Sequence, residues 1–173
     1  MTLATRRTAL FTFAAAAAAP VLLSARGAAA QQTTAAEYVT RTLEVGMLAL
    51  MSSQAALEKA QDERVREFAM LEIAEQQAVA QVLAWSNTPA PTELPPERAA
   101  MLEQLQMMEA GPGFDMAYVD MQLQGHMELL QIQQTLSGGT EPSVEGITAK
   151  LAEQAVTSHI AMLNHMRGEM GDA

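Results

Sequence analysis

Residues 62–83 read DERVREFAMLEIAEQQAVAQVL, and this stretch decides the fold class. Its apolar side chains recur every three or four residues, as they do along the buried face of an α-helix. Asp62 stands where a capping side chain belongs, so the helix begins directly after it. The apolar positions on this face are Val65, Phe68, Ala69, Ile73, Val79 and Leu83. No stretch of the chain shows the apolar–polar alternation of a strand, and we therefore predict an all-α fold.

Three more long helices are predicted around this one. Thr34-Ala35-Ala36-Glu37 is a capping-box pattern, which predicts a first helix that runs to Ala60. The turn to the second helix is then very short, so the two should form an antiparallel hairpin. Breaking residues on both sides predict a third long helix over 114–136, and Ser143 caps a last helix that ends near Met170.

The connection from Asn87 to Gly113 is long for a link between two helices. It is rich in proline, and Pro96 suits the first turn of a short helix from Glu97 to about Ala110, which Gly111-Pro112-Gly113 ends. Such a connection favours a crossover that leaves the second and third long helices parallel, as in a ferritin-like four-helix bundle. An up-down-up-down bundle with an elaborated loop is the alternative.

The N-terminus has the pattern of an export signal. Arg6 and Arg7 precede an apolar stretch over 9–23, and Ala28-Ala29-Ala30 offers the small residues that a signal peptidase requires. This stretch is short and only weakly apolar for a membrane span. We predict that residues 1–30 are a signal peptide cleaved after Ala30.

The route of export stays open between two pathways. The adjacent arginines resemble a twin-arginine signal, but Ala9 stands where that motif prefers a bulky apolar residue, so general secretion fits as well. Either route predicts that residues 31–173 form the mature domain in the periplasm or cell envelope.

The composition excludes several function classes. The whole chain has a formal charge of −10, and loss of the signal leaves 7 basic against 20 acidic side chains, a charge of −13. Such a protein repels nucleic acid and anionic lipid. Cysteine is absent, which excludes disulfides and thiolate chemistry. The mature part offers no transmembrane span, and a homo-oligomer or an envelope protein partner is compatible with its surface.

Three polar side chains interrupt the predicted apolar faces of three different helices: Glu72, His126 and His159. In the crossover arrangement, their distances from the helix ends place them in one layer to within about 3 Å, at 1.5 Å per residue. Imidazole and carboxylate groups that point inward are typical ligands of iron, zinc or copper in a bundle. Gln76, Tyr118 and Gln122 would form a surrounding second layer. A hydrogen-bonded core that fixes helix register is the alternative.

A second metal hypothesis rests on the last helix. Met162, Met166 and Met170 recur at helical spacing with His159 and His165 close by, and thioether with imidazole suits cuprous copper. Packing of an adaptable apolar side chain is the alternative for such a methionine stripe. A di-iron oxidase is not expected, because the chain has no Glu-x-x-His motif. Since a nucleophile elbow is missing too, we expect no enzyme.

Several segments resemble the exported ferritin-like family called domain of unknown function 4142. They are Tyr38-Val39, Val65-Arg66-Glu67-Phe68-Ala69, and Gly113 to Asp120 with the following Gln122 and His126, and His159 fits as well. The resemblance implies an envelope-associated four-helix bundle that has no established reaction.

This chain departs from the family pattern at two places. Members usually carry a glutamate in helix 1 and an Asp-His pair in helix 2, where this sequence has Ala49 and Glu75-Gln76. Any family metal site would then be lost in part, or rebuilt with Glu72 or Glu75. A non-enzymatic exported bundle, with a role in envelope stress or interaction, is the leading interpretation of the sequence, and the two metal-binding hypotheses are its rivals.

Overall fold

The computed structural model of the protein describes residues 33–139 and 142–171. Its regular structure over these residues is five helices without a strand, which confirms the predicted all-α class. The predicted signal peptide, 1–30, lies outside the described residues. Within the described part, none of the helices combines the length and the apolar character that a membrane crossing needs. The helices are α1 Ala35–Lys59, α2 Glu63–Leu83, α3 Pro96–Met107, α4 Pro112–Gln134 and α5 Val144–Gly171.

The helix ends follow local capping chemistry. The Thr34 side chain accepts the backbone N–H of Glu37, and the Asp62 carboxylate accepts that of Arg64, so α1 and α2 begin where the sequence indicates. The prediction that all of Gly111-Pro112-Gly113 lies between two helices is wrong in part. Only Gly111, whose φ is 149°, lies outside the helix, while Pro112 opens α4 because a first-turn residue needs no N–H.

The short helix α3 ends at Met107, three residues before the predicted Ala110. Lys59 at the end of α1 donates from Nζ to the carbonyl oxygens of Gln106 and Met108. These bonds satisfy carbonyls that further helical turns would otherwise use, and the backbone of Met108 is extended.

Contacts between helices define their directions. The Tyr38 hydroxyl meets Gln133, and the Ser53 hydroxyl meets Tyr118, so α1 and α4 run antiparallel. The short turn after Lys59 makes α1 and α2 an antiparallel pair as well. It follows that α2 and α4 are parallel, and that the segment between them, which contains α3, returns along the length of the molecule.

A buried carboxylate joins the start of α4 to the turn between α1 and α2. The Asp115 side chain accepts the backbone N–H groups of Gln61, at 3.2 Å, and Asp62, at 2.8 Å. These donors lie where a new helix starts and have no backbone partner within it. Asp115 therefore caps a turn that lies 53 residues before it in the chain.

The apolar core consists of two clusters along the helices. The first includes Phe68, Tyr118 and Leu163. The second includes Leu83, Leu129 and Val156. On each of α2, α4 and α5, an inward-facing polar side chain lies between the residue of one cluster and the residue of the other: Glu72, His126 and His159. The core is therefore divided by a polar layer at mid-length.

Candidate metal centre

The polar layer brings the three predicted ligands together: Glu72 from α2, His126 from α4 and His159 from α5. The carboxylate oxygen Oε2 of Glu72 lies 3.4 Å from Nε2 of His126 and 3.3 Å from Nδ1 of His159. Those two nitrogens are 3.1 Å apart. We call this group the triad. Its three atoms form a nearly equilateral triangle in the interior.

Glu72 is an ionised carboxylate in the core, with no exposed surface. Burial opposes its charge, but the nearby imidazoles of His126 and His159, together with Gln76, outweigh that cost and hold the pKa of Glu72 at about 2. Nε2 of Gln76 donates to Oε1 at 2.8 Å. Oε2 has two imidazole nitrogens within 3.4 Å, but this oxygen lacks a hydrogen-bond partner among the described residues.

Each imidazole is oriented by a contact to its second ring nitrogen, on the side away from the triad. Nδ1 of His126 lies 2.8 Å from the backbone carbonyl oxygen of Gln122, so it carries the proton, and Nε2 presents its lone pair to the triad. On the other ring, Nε2 of His159 faces Oε2 of Glu75 at 3.5 Å, which leaves Nδ1 toward the triad. Because Nε2 of His126 carries a lone pair, Nδ1 of His159 is the donor of the 3.1 Å hydrogen bond between the two rings. A metal cation bound by these atoms would replace that proton.

In the absence of a metal, a proton fills this role. The contact with Glu72 raises the pKa of His159, with a further contribution from Glu75. Burial raises the pKa of Glu75. The charge balance of the triad thus favours one bound positive charge.

An aromatic ring closes one side of the triad. The centroid of Phe68 lies 5.9 Å from that of His126 and 5.3 Å from that of His159. Phe68 precedes Glu72 by one helical turn, so the same face of α2 supplies both the carboxylate and the ring. The ring keeps water from this side of the imidazoles.

The predicted second-layer residues differ in their places. Gln76 touches the triad through Glu72, and Gln122 touches it only through its backbone carbonyl. The side chain of Gln122 turns to α1, where its Nε2 donates to the carbonyl oxygen of Ala49 and to serine hydroxyls. The Tyr118 hydroxyl also turns to α1, where it pairs with Ser53 at 2.8 Å.

Two further residues lie beside the triad: Glu75, which the sequence offers only as an alternative to Glu72 in a rebuilt family site, and Gly46. Glu75 lies beside His159, and its position one turn after Glu72 was the available signal. Gly46 on α1 faces Gln76, and any Cβ there would overlap Oε1 of that side chain. This glycine therefore leaves the space from which Gln76 reaches Glu72.

The methionines of the last helix occupy different environments. Met166 is buried in the first apolar cluster, whereas Met162 is exposed. The His165 side chain is exposed beside Glu169, with 3.5 Å between Nε2 and Oε1. The structure therefore places these side chains in packing and at the surface, and only His159 of that set lies in the triad.

Comparison with protein families identifies the family to which the chain belongs. The model of the family described as "Domain of unknown function (DUF4142)" matches residues 21–166. The chain belongs to the DUF4142 family. The resemblance drawn from the sequence is thereby confirmed, and the match includes all three triad residues. None of the curated proteins matches the chain.

Among solved structures, this DUF4142 chain is similar to a Streptomyces coelicolor protein described as "putative secreted protein DUF305". The TM-score is 0.66 at 16% sequence identity, and the alignment covers 80% of this chain and 94% of the other. At that identity, the similarity concerns the fold alone.

Proposed function

We propose that this protein is an exported metal-binding bundle that holds one divalent first-row transition ion at Glu72, His126 and His159. One observation carries the proposal: the triangle of ligand atoms, with edges of 3.1, 3.3 and 3.4 Å. Atoms of three potential ligands that converge at this distance in a buried layer are close enough to bind one cation.

The size of the triangle fits an ion. Zinc bonds of about 2.05 Å to imidazole and carboxylate hold tetrahedral ligand atoms about 3.3 Å apart, since the edge of a tetrahedron is about 1.63 times its centre-to-corner distance. An octahedral ion with bonds of about 2.1 Å has edges of about 3.0 Å. The observed edges of 3.1 to 3.4 Å lie within about 0.1 Å of the tetrahedral value or between the two values, so an ion can enter with small movements of the three side chains.

The donor set selects a class of metal. Two imidazoles with one carboxylate suit zinc, iron(II) and their neighbours, whereas calcium and magnesium require more oxygen ligands. No thioether lies in the triad, so cuprous copper is disfavoured there. Three protein ligands leave at least one coordination position for water or another ligand. The hydrogen bond from Gln76 and the carbonyl of Gln122 hold the ligands from behind, as second-layer groups do in metalloproteins.

The proposal extends to architecture and compartment. Parallel α2 and α4, joined by a crossover, support a ferritin-like four-helix bundle built from residues 31–173. Export is supported by Arg6, Arg7 and the alanines at 28–30. The periplasm or cell envelope is then the site of action. Intact-mass analysis of protein recovered from the exporting bacterium tests this part, and a mature chain that begins at Gln31 is expected.

The test of metal binding uses the mature chain from Gln31, purified without chelators or an affinity tag. We expect about one equivalent of zinc or iron by elemental analysis, or after addition of Zn²⁺, and a higher melting temperature with the ion. His126→Ala and His159→Ala should lose both effects.

The third histidine of the chain supplies the matched control. His165 is exposed on α5, outside the triad, so His165→Ala should bind as the wild type does. A wild-type protein that binds none of Zn²⁺, Fe²⁺ and Co²⁺, or three histidine variants that behave alike, would contradict the proposal.

A further inference from the structure

The triad is not equally closed on all sides. Glu72 is 0% and His126 is 1% exposed, whereas 15% of the His159 side chain and 28% of the Glu75 side chain are accessible to solvent. Glu75 lies behind His159, with 3.5 Å between the carboxylate and the imidazole. These two side chains are therefore the edge at which the triad meets solvent along α2 and α5.

An open groove lies between α2 and α5 at this edge. Its volume is about 380 Å³, and Glu75 is the charged side chain in its lining. Apart from Thr148, the remaining lining is apolar and includes small side chains such as Ala152 and Ala155. Glu75 lines the groove, and Ala155 precedes His159 by one turn of α5, so one end of the groove lies within a helical turn of His159.

We infer that metal reaches the triad through this groove, and that Glu75 is the first ligand, which passes the ion to His159. This inference rests on the proposed function of the triad. A carboxylate that lies outside the triangle of ligand atoms, but contacts one of its members, can bind an incoming cation before the buried residues do. In apolar surroundings its charge also attracts cations more strongly than a fully solvated carboxylate does.

The opposite side of α2 offers a weaker route. There, a groove between α1 and α2 is lined by Gln76, a neutral amide that is 8% exposed. Gln76 holds Oε1 of Glu72 through its amide nitrogen, so an ion on this side would meet a hydrogen-bond donor in place of a ligand. Charge and donor chemistry therefore favour the α2–α5 groove.

Rates of metal exchange distinguish an entry ligand from a permanent one. Co²⁺ association is followed by its ligand-field absorption, and Zn²⁺ release is measured with excess EDTA. Glu75→Gln keeps an acceptor for His159 but removes the charge, and we expect association to slow by about tenfold or more, the lower end of what electrostatic focusing contributes. Because the same step lies on the path out, release should slow as well.

A second variant tests the path without touching a ligand. Ala155→Leu places a larger side chain at the inner end of the groove and should slow association and release together. The matched controls are Glu67→Gln on the exposed surface of α2 and Ala161→Leu on that of α5, and neither should change either rate.

The outcomes separate the two proposals. A wild-type protein that binds no Co²⁺ or Zn²⁺ contradicts the proposed function. If the wild type binds, but Glu75→Gln releases zinc as fast as the wild type or faster, Glu75 is not an entry ligand and the inference is overturned. Unchanged rates in Ala155→Leu would overturn the groove as the path.

Discussion

The bundle contains two buried polar layers that differ in how their atoms are satisfied. Near the N-terminal end of α1, Tyr38 donates to Oε1 of Gln133 at 2.6 Å, and Nε2 of Gln133 lies 3.5 Å from the hydroxyl of Thr42. These groups are neutral and complete one another. Two turns earlier on α4, the triad brings two imidazoles to Glu72, whose Oε2 has no hydrogen-bond partner among the described residues. We call the first group the tyrosine layer.

The contrast shows what each layer is for. A polar group that is satisfied within the fold fixes the register of the helices and needs nothing more. In the part of the chain that the structure describes, the triad keeps a buried carboxylate oxygen without a hydrogen-bond partner, so a bound cation would stabilise it. Both layers lie on the same face of α4, so the sequence periodicity alone does not tell them apart.

The largest expected effect on stability comes from a variant that breaks the tyrosine layer. Gln133→Ala leaves the Tyr38 hydroxyl buried without its acceptor and should lower the free energy of unfolding by about 3 kcal/mol, measured with urea. The loss should be the same with and without Zn²⁺. A variant that no longer responds to Zn²⁺ would show that the two layers are not independent.

The next effect concerns the triad alone. Free Zn²⁺ at roughly a hundred times its Kd should stabilise the wild type by about 2.7 kcal/mol, and Glu72→Gln should abolish this gain. Without metal the variant should be less stable than the wild type, because an amide replaces an ionised carboxylate whose pKa the two imidazoles lower. Glu67→Gln is the control. If Zn²⁺ stabilised Glu72→Gln as much as the wild type, Glu72 would not be a zinc ligand.

A smaller effect on zinc affinity is expected from a change at Gly46, which is not itself a ligand. Gly46→Ala displaces Gln76 from Glu72, so zinc affinity should fall about tenfold, as for loss of a second-layer hydrogen bond. Gly125→Ala makes the same change in α4, where the new Cβ meets Val45 at an ordinary 3.6 Å, and it should leave the affinity unchanged. Calorimetric titration of both variants decides the matter, and equal affinities would contradict the supporting role of Gln76.

The smallest effect is a pH dependence of the tyrosine layer. Burial raises the pKa of Tyr38 to about 12, above its ordinary value of 10. A raised pKa means that its stabilising contribution is complete below pH 10 and is lost as the pH rises toward 12. Urea unfolding across this range should show falling stability in the wild type and a shallower fall in Tyr38→Phe. Tyr118, whose pKa burial also raises, accounts for the remaining slope. Equal slopes in the wild type and in Tyr38→Phe would show that Tyr38 does not cause the loss of stability at alkaline pH.

The sequence predicts the helices well because their signals are local. The caps at Thr34 and Asp62 are satisfied as predicted, since a capping side chain acts within three residues. The error at Pro112 arose because proline ends a helix in its interior but begins one at its first turn. The end of α3 depends on Lys59, a distant residue that no local pattern reveals.

The site is less visible in the sequence. Glu72, His126 and His159 could be placed in one layer, because depth along a helix follows from counting residues. Rotation about the helix axis is harder to predict from an apolar stripe. That is why Tyr118 and the Gln122 side chain, expected around the triad, face α1, and why the pattern left open whether Glu72 or Glu75 joins the histidines.

The reach of Asp115 has a consequence for the order of folding. The α1–α2 hairpin is local in sequence and can form early, but the N–H groups at its turn find their acceptor only when α4 arrives. The hairpin is thus completed by the later part of the chain. Local opening of the first turn of α4 would in turn remove the capping carboxylate from the start of α2. The α1–α2 hairpin and α4 are therefore coupled into one cooperative unit.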